Sequence, residues 1–280
     1  MQKIIRIELK KACCNKIMKF TFIIVMMLVL YHSISAICEY NKFCSYFAVD
    51  KYTTNPMITS QSLFCSWLGA DVTSFPTGVF FFLLPLIAAL PNGWSLVTEM
   101  NTGYTKNILS RISRRDYLRA KYIASFVSGF VIVSIPLITS IMLLALFVPA
   151  LRMESIYPYG TIGQGCMWSE LYYLHPLVYC ALYVVLDGVY AGLFSVISVA
   201  LSFLIKNRIA VLTGPFFIML FADYIDANFL RNGEYSPIKF LQALPVANNC
   251  YGWAVCLIAV SIFVITLWVL EYKGKRYEAL

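Results

Sequence analysis

One carboxylate stands out among the residues that could do chemistry. Asp187 sits in the run VVLDGVYAG, well inside a long apolar stretch. A charge at mid-membrane depth costs roughly 2.5–3.5 kcal/mol on insertion scales, so such a residue should face protein or a water-filled cavity. Two roles fit it: a position on a translocation path, or a hydrogen bond between helices. Asp223 and Asp226, near the outer end of the next apolar stretch, are expected to reach the headgroups. Enzyme chemistry finds little to work with. His32 and His175 are the only two histidines, one in an apolar stretch and one in a loop, so there is no two-histidine zinc motif. The sequence has no G-x-S-x-G nucleophile elbow and no pair of intramembrane carboxylates at one depth. It has no G-x-x-x-x-G-K-[ST] phosphate loop either, so any ATP-powered work needs a partner. The nine cysteines show no C-x-x-C pairing, and no metal site is expected. A Cys38–Cys44 disulfide and free thiols acting as small apolar groups are both open readings.

The elements that must position these residues are transmembrane helices. Of 280 residues, 60% are hydrophobic and 13% are charged, whereas a soluble domain carries roughly 25% charge. The apolar residues fall into six blocks, 18–37, 77–98, 122–149, 177–205, 209–225 and 251–270. Each is near the ~20 residues that cross ~30 Å of hydrocarbon. Lipid offers the backbone no hydrogen-bond partner, and these blocks lack the period-two alternation of barrel strands, so they are helices. The expected fold class is therefore an all-α polytopic membrane protein with six transmembrane helices. Placing the N-terminus inside puts 17 of the 22 basic residues on inner segments, leaving Lys42, Lys51, Arg152, Arg231 and Lys239 outside. That asymmetry predicts N-in/C-in topology. It also accounts for the net charge of +8 without nucleic acid. The first block is too long, and its basic flank too extended, for a cleaved signal core, so it is read as a retained span.

The connecting segments carry further expectations. Residues 1–17 place Ile5, Leu9, Ala12 and Cys13 on one side with Lys3, Arg6 and Lys10 beside them, as in a helix lying at the inner headgroup layer. The outer loop 38–76 is rich in Tyr, Phe and Trp, with a turn at Asn55-Pro56, and should pack on the outer face as short helices. Pro85, Pro91 and Gly93 should kink or loosen the second span. Segment 227–250 has a turn at Asn232-Gly233 and an apolar run IKFLQAL too short to span, and reads as re-entrant or surface-lying. Gly188 and Gly192 form a small-x-x-x-small pair that could serve a dimer seam. Between the second and third spans, Ser113 and Asp116 fit a capping box that starts a helix near Arg114. Just before it, Ile108, Leu109 and Ile112 recur among polar neighbours, giving a short amphipathic helix below the membrane with an apolar face for docking.

Glu99 and Gly103 in an E-x-x-x-G pattern, Asn107-Ile-Leu-Ser110, Ser113-Arg114-Arg115 and Lys121 resemble the permease subunits of the ATP-binding-cassette type-2 transporter family. The layout is similar along nearly the whole chain. The family's proline before the Ser-Arg step is replaced here by Arg111 or Ile112. The resemblance implies a coupling helix over 104–112, with Ile108 and Leu109 seated in a groove of a separate cytoplasmic ATP-binding-cassette ATPase. Glu99 would brace the turn, while Arg114 and Arg115 would meet acidic ATPase or lipid groups. ATP and Mg would belong to that partner, and a second permease copy or paralogue would complete the unit. The implied function is ATP-driven export through a bacterial plasma membrane, of a peptide or other amphipathic molecule. The competing class is a secondary transporter or channel not powered by ATP. It would call for several buried ionisable residues or an internal repeat, where the sequence has Asp187 alone.

Overall fold

A computed structural model describes residues 2–49, 61–154, 160–163, 165–230, 235–244 and 250–276. The turns expected at Asn55-Pro56 and Asn232-Gly233, and the return at Pro245, lie outside these residues. Every regular element among the described residues is a helix. A short helix α1 (Gln2–Cys13) breaks at Asn15, whose Oδ1 accepts the Ile17 amide as α2 (Lys16–Val49) begins. A single turn α3 (Leu63–Ser66) precedes α4 (Phe75–Ala89) and α5 (Ser95–Asn101). Then come α6 (Tyr104–Leu109), α7 (Arg114–Ala145), α8 (Ser169–Leu174), α9 (Pro176–Leu201), α10 (Arg208–Ile225), α11 (Pro237–Phe240) and α12 (Gly252–Arg276).

Five of these, in α2, α7, α9, α10 and α12, are long and apolar enough to cross a membrane. The sixth expected span is broken: α4 has only 15 residues, and the chain loosens at 90–94 before α5. Pro91 supplies no amide donor to the preceding turn. The indole Nε1 of Trp94 donates to the Leu90 carbonyl at 2.8 Å and the Gly93 amide to Ala89 at 2.8 Å, so the interrupted backbone remains satisfied. Gly93 is required by packing, because a Cβ there would lie 2.7 Å from Ser198 Cβ on α9.

The core is built around α9, whose apolar window is 78% buried within the protein, against 22% for α10 and 17% for α12. The first of these is central and the other two are peripheral. Its closest partner is α7, and glycines set the approach. A Cβ on Gly188 would meet Ser134 Oγ at 2.2 Å, one on Gly192 the Phe126 ring at 2.7 Å, and one on Gly129 the Ala191 carbonyl at 2.7 Å. The Gly188/Gly192 pair therefore serves a contact within the chain, which corrects the expectation of a dimer seam.

The outer segments also differ from expectation. Instead of starting as loop, 38–49 continues α2, so Cys38 and Cys44 lie on one helix. Six residues of helix rise ~9 Å, beyond the Cα separation a disulfide tolerates, and all nine cysteines are free. Leu63, Phe64, Trp67 and Leu68 are buried in the core rather than laid on its surface. Thr77 and Ser140 hydrogen-bond the Leu68 carbonyl and amide, and His32 Nε2 lies 3.2 Å from Asp71 Oδ2. Residues 236–244 enter the same end of the bundle. Phe240 packs on the Tyr190 ring, Ala243 donates to the Gly69 carbonyl at 2.8 Å, and the Tyr179 hydroxyl donates to the Ala243 carbonyl. Asp226 does not reach out to headgroups. It is 3% exposed and accepts the amides of Tyr235 and Ser236 at 3.0 Å, because the returning segment would otherwise leave those donors without partners.

Candidate functional site

At the other end of the bundle, charged side chains from three elements converge. The approach begins with α1, whose inward face is Ile4, Ile5, Glu8, Leu9 and Ala12, at helical spacing against the base of α7. Cys13, placed on the apolar side by the sequence pattern, is exposed, while Glu8 and Ala12 are buried. Lys121 on α7 is 0% exposed, and its Nζ donates to Glu8 and to Glu99, both at 2.8 Å. Lys11 and the Tyr117 hydroxyl also donate to the Glu99 carboxylate. Glu99, on α5, is thus gripped by α1 and by two turns of α7 at once. Burial works to raise its pKa. The Lys121 charge and the bonds from Lys11, Lys121 and Tyr117 outweigh that and hold it below its ordinary 4.5. Lys11 is affected in the opposite sense. Burial lowers its pKa, but the Glu99 contact leaves it net raised.

The rest of the E-x-x-x-G pattern follows from this clamp. Four residues after Glu99, Gly103 adopts φ 74°, ending α5 and turning the chain into α6. An L side chain in that left-handed region costs roughly 1–2 kcal/mol. After α6, Ser113 Oγ accepts the Asp116 amide at 3.3 Å and α7 starts at Arg114, where the capping pattern set it. The Asn101 side chain ties α5 to the α9–α10 connection by donating to the Lys206 carbonyl at 2.9 Å, and Arg119 pairs with Glu271 of α12 at 3.0 Å. The α5–α6–α7 corner is consequently tied to α1, to α12 and to the α9–α10 connection.

None of the residues of α6 is fully buried. Ile108, Leu109 and Ile112 are half-buried against Leu96, Tyr117 and Leu118 of the same chain. They hold α6 onto its own bundle, and the face left outward is Tyr104, Lys106, Asn107, Ser110 and Arg111. Arg114 is half-buried and Arg115 exposed. Sequence reasoning found Glu99, Gly103 and Lys121 but missed Glu8, Lys11 and Tyr117. The signal for Glu8 was present: it is the lone acid in a basic N-terminal segment, at helical spacing with Ile4, Ile5 and Ala12.

Asp187 lies far from this cluster in the chain and is 0% exposed inside α9. Neither carboxylate oxygen has a hydrogen-bond partner among the described residues.

The α4–α5 break opens a cleft of about 410 Å³ beside the cluster, lined by residues of α1, α5 and the Asn15 turn. No family model matches the chain, and no curated protein matches it significantly.

Proposed function

We propose that this protein is the membrane-spanning subunit of an ATP-driven exporter of the ATP-binding-cassette type-2 kind, moved by a separate cytoplasmic ATPase. The observation that carries this reading is the braced corner. The short helix α6 lies at one end of a multi-span bundle, directly after α5, and buried ion pairs of Lys121 tie α5 and α1 to the base of α7, the helix in closest contact with α9. A push on α6 would pass through Glu99 and Lys121 into α7, and through the α7–α9 contact into the centre of the bundle. Such transmission needs rigid packed elements rather than a flexible loop. The concentration of basic residues at this same end supports reading it as the cytoplasmic one by the positive-inside rule. ATP and Mg reside on the ATPase, and a second permease subunit completes the translocation path. A peptide or other amphipathic cargo suits the apolar spans.

The half-burial of Ile108 and Leu109 moves the proposed docking face to Tyr104, Lys106, Asn107 and Arg111. The test is co-purification from native membranes, with any captured ATPase identified by its phosphate loop. Lys106→Glu with Arg111→Glu should abolish capture while leaving the subunit at wild-type abundance. An unaltered yield of ATPase with that pair of substitutions, or none with the wild type, overturns the proposal.

A further inference from the structure

The cleft at the α4–α5 break has a chemistry of its own. Its walls include Trp94 and Tyr104, and each ring carries a cation: the Arg208 guanidinium stands 3.6 Å above Trp94 and the Lys11 ammonium 4.9 Å from the centre of Tyr104. Trp94 and Tyr104 sit next to the ends of spanning helices, where amphipathic rings mark the headgroup level of a bilayer. Deeper in, Asn92 is nearly fully buried, and the Ser95 hydroxyl is buried with no hydrogen-bond partner among the described residues. Glu99 also lines the space, but its carboxylate is already engaged by Lys11, Lys121 and Tyr117. Glu8 and Glu99 balance Lys11 and Lys121, so Arg208, stacked on Trp94, leaves the mouth of the cleft net basic. Lys11 retains 46% side-chain exposure and Arg208 is exposed, so both have donors to offer.

The geometry points to a binding site for the phosphate headgroup of an acidic phospholipid. Lys11 and Arg208 meet the phosphate, the Ser95 hydroxyl meets the headgroup, and the acyl chains leave between α1 and the broken span. A lipid seated there bridges α1 to the start of α10, two elements that the ion-pair cluster does not join directly. The site requires only the membrane, so it stands or falls independently of any ATPase.

Purified, delipidated protein titrated with phosphatidylglycerol or phosphatidylcholine and read by native mass spectrometry tests this. The wild type should favour phosphatidylglycerol, and Arg208→Gln should lower that preference about fivefold, the effect expected of one basic group at a lipid surface. Lys11→Gln with Arg208→Gln should abolish the preference. Arg115→Gln, which removes an exposed charge of the same end away from the cleft, should leave it intact. Arg208 is exposed, so its variant does not depend on α1 staying docked. Equal affinity for the two lipids in the wild type, or an equal loss in Arg115→Gln, overturns the site. Displacement of the lipid by equimolar glycerol phosphate overturns the lipid assignment in favour of a soluble phosphate.

Discussion

Lys121 joins both α1 and α5 to the base of α7. It is fully buried and is the cation for two carboxylates. Removing one member of a buried ion pair costs about 3–5 kcal/mol, because the charges left behind have no water to turn to. Lys121→Ala should therefore lower the thermal midpoint in detergent sharply, whereas the exposed Lys106→Ala should leave it within error. Acid should act on the same cluster. The folded pKa of Glu99 lies below its ordinary 4.5, so its stabilisation is complete above that value and is lost as pH falls through the lower folded value. Protection of the α1 amides, taken relative to the intrinsic exchange rate at each pH, should hold at neutral pH and be lost only below the ordinary 4.5 of a glutamate. Loss of that protection between pH 7 and 5 would mean that another group controls docking. Gly103→Ala should cost roughly 1 kcal/mol through its left-handed φ alone, since open space surrounds the position.

At the scale of elements, two contacts bear the weight: α1 on the base of α7, and α7 on α9. Glu8→Gln should free α1, visible as faster amide exchange over residues 4–12 with α7 and α9 still protected. Gly192→Val should push a side chain into Phe126, an overpacking cost of roughly 1–3 kcal/mol, and should lower the thermal midpoint with no change in oligomeric state. A change of oligomeric state alone would restore the dimer-seam reading of that glycine pair. These elements were legible in the sequence to different degrees. Block length and hydropathy located the long helices, and Ser113 with Asp116 marked the start of α7, because those signals are local. The continuation of α2 past Cys38 was not legible, since its aromatic and polar mixture suits a helix or a packed loop equally. Burial of 63–68 and 236–244 was also hidden, because it depends on partners such as Ser140 and Asp226 far along the chain. The site divided similarly. The spacing of Glu8 with Ile4, Ile5 and Ala12 put it on the apolar face of α1, but its partner Lys121, more than a hundred residues on, was not legible, and without that cation a carboxylate on that face has no reason to be buried.

The whole molecule has two ends with different work. One is filled by Trp67, Tyr172, Tyr179, Phe240 and the returning segments, and it offers little that could move without unpacking the core. The other presents α6 and the cleft, backed by ion pairs that keep the corner stiff. In the proposed exporter, force enters at this second end and travels inward. A photo-crosslinking amino acid placed at Asn107, on the outward face of α6, measures this most directly in native membranes. The expected result is a crosslink to a protein bearing a phosphate loop, absent when the same probe replaces Leu28 in the middle of α2. Crosslinks from position 107 only to lipid or to this chain itself would contradict the coupling of this protein to an ATPase.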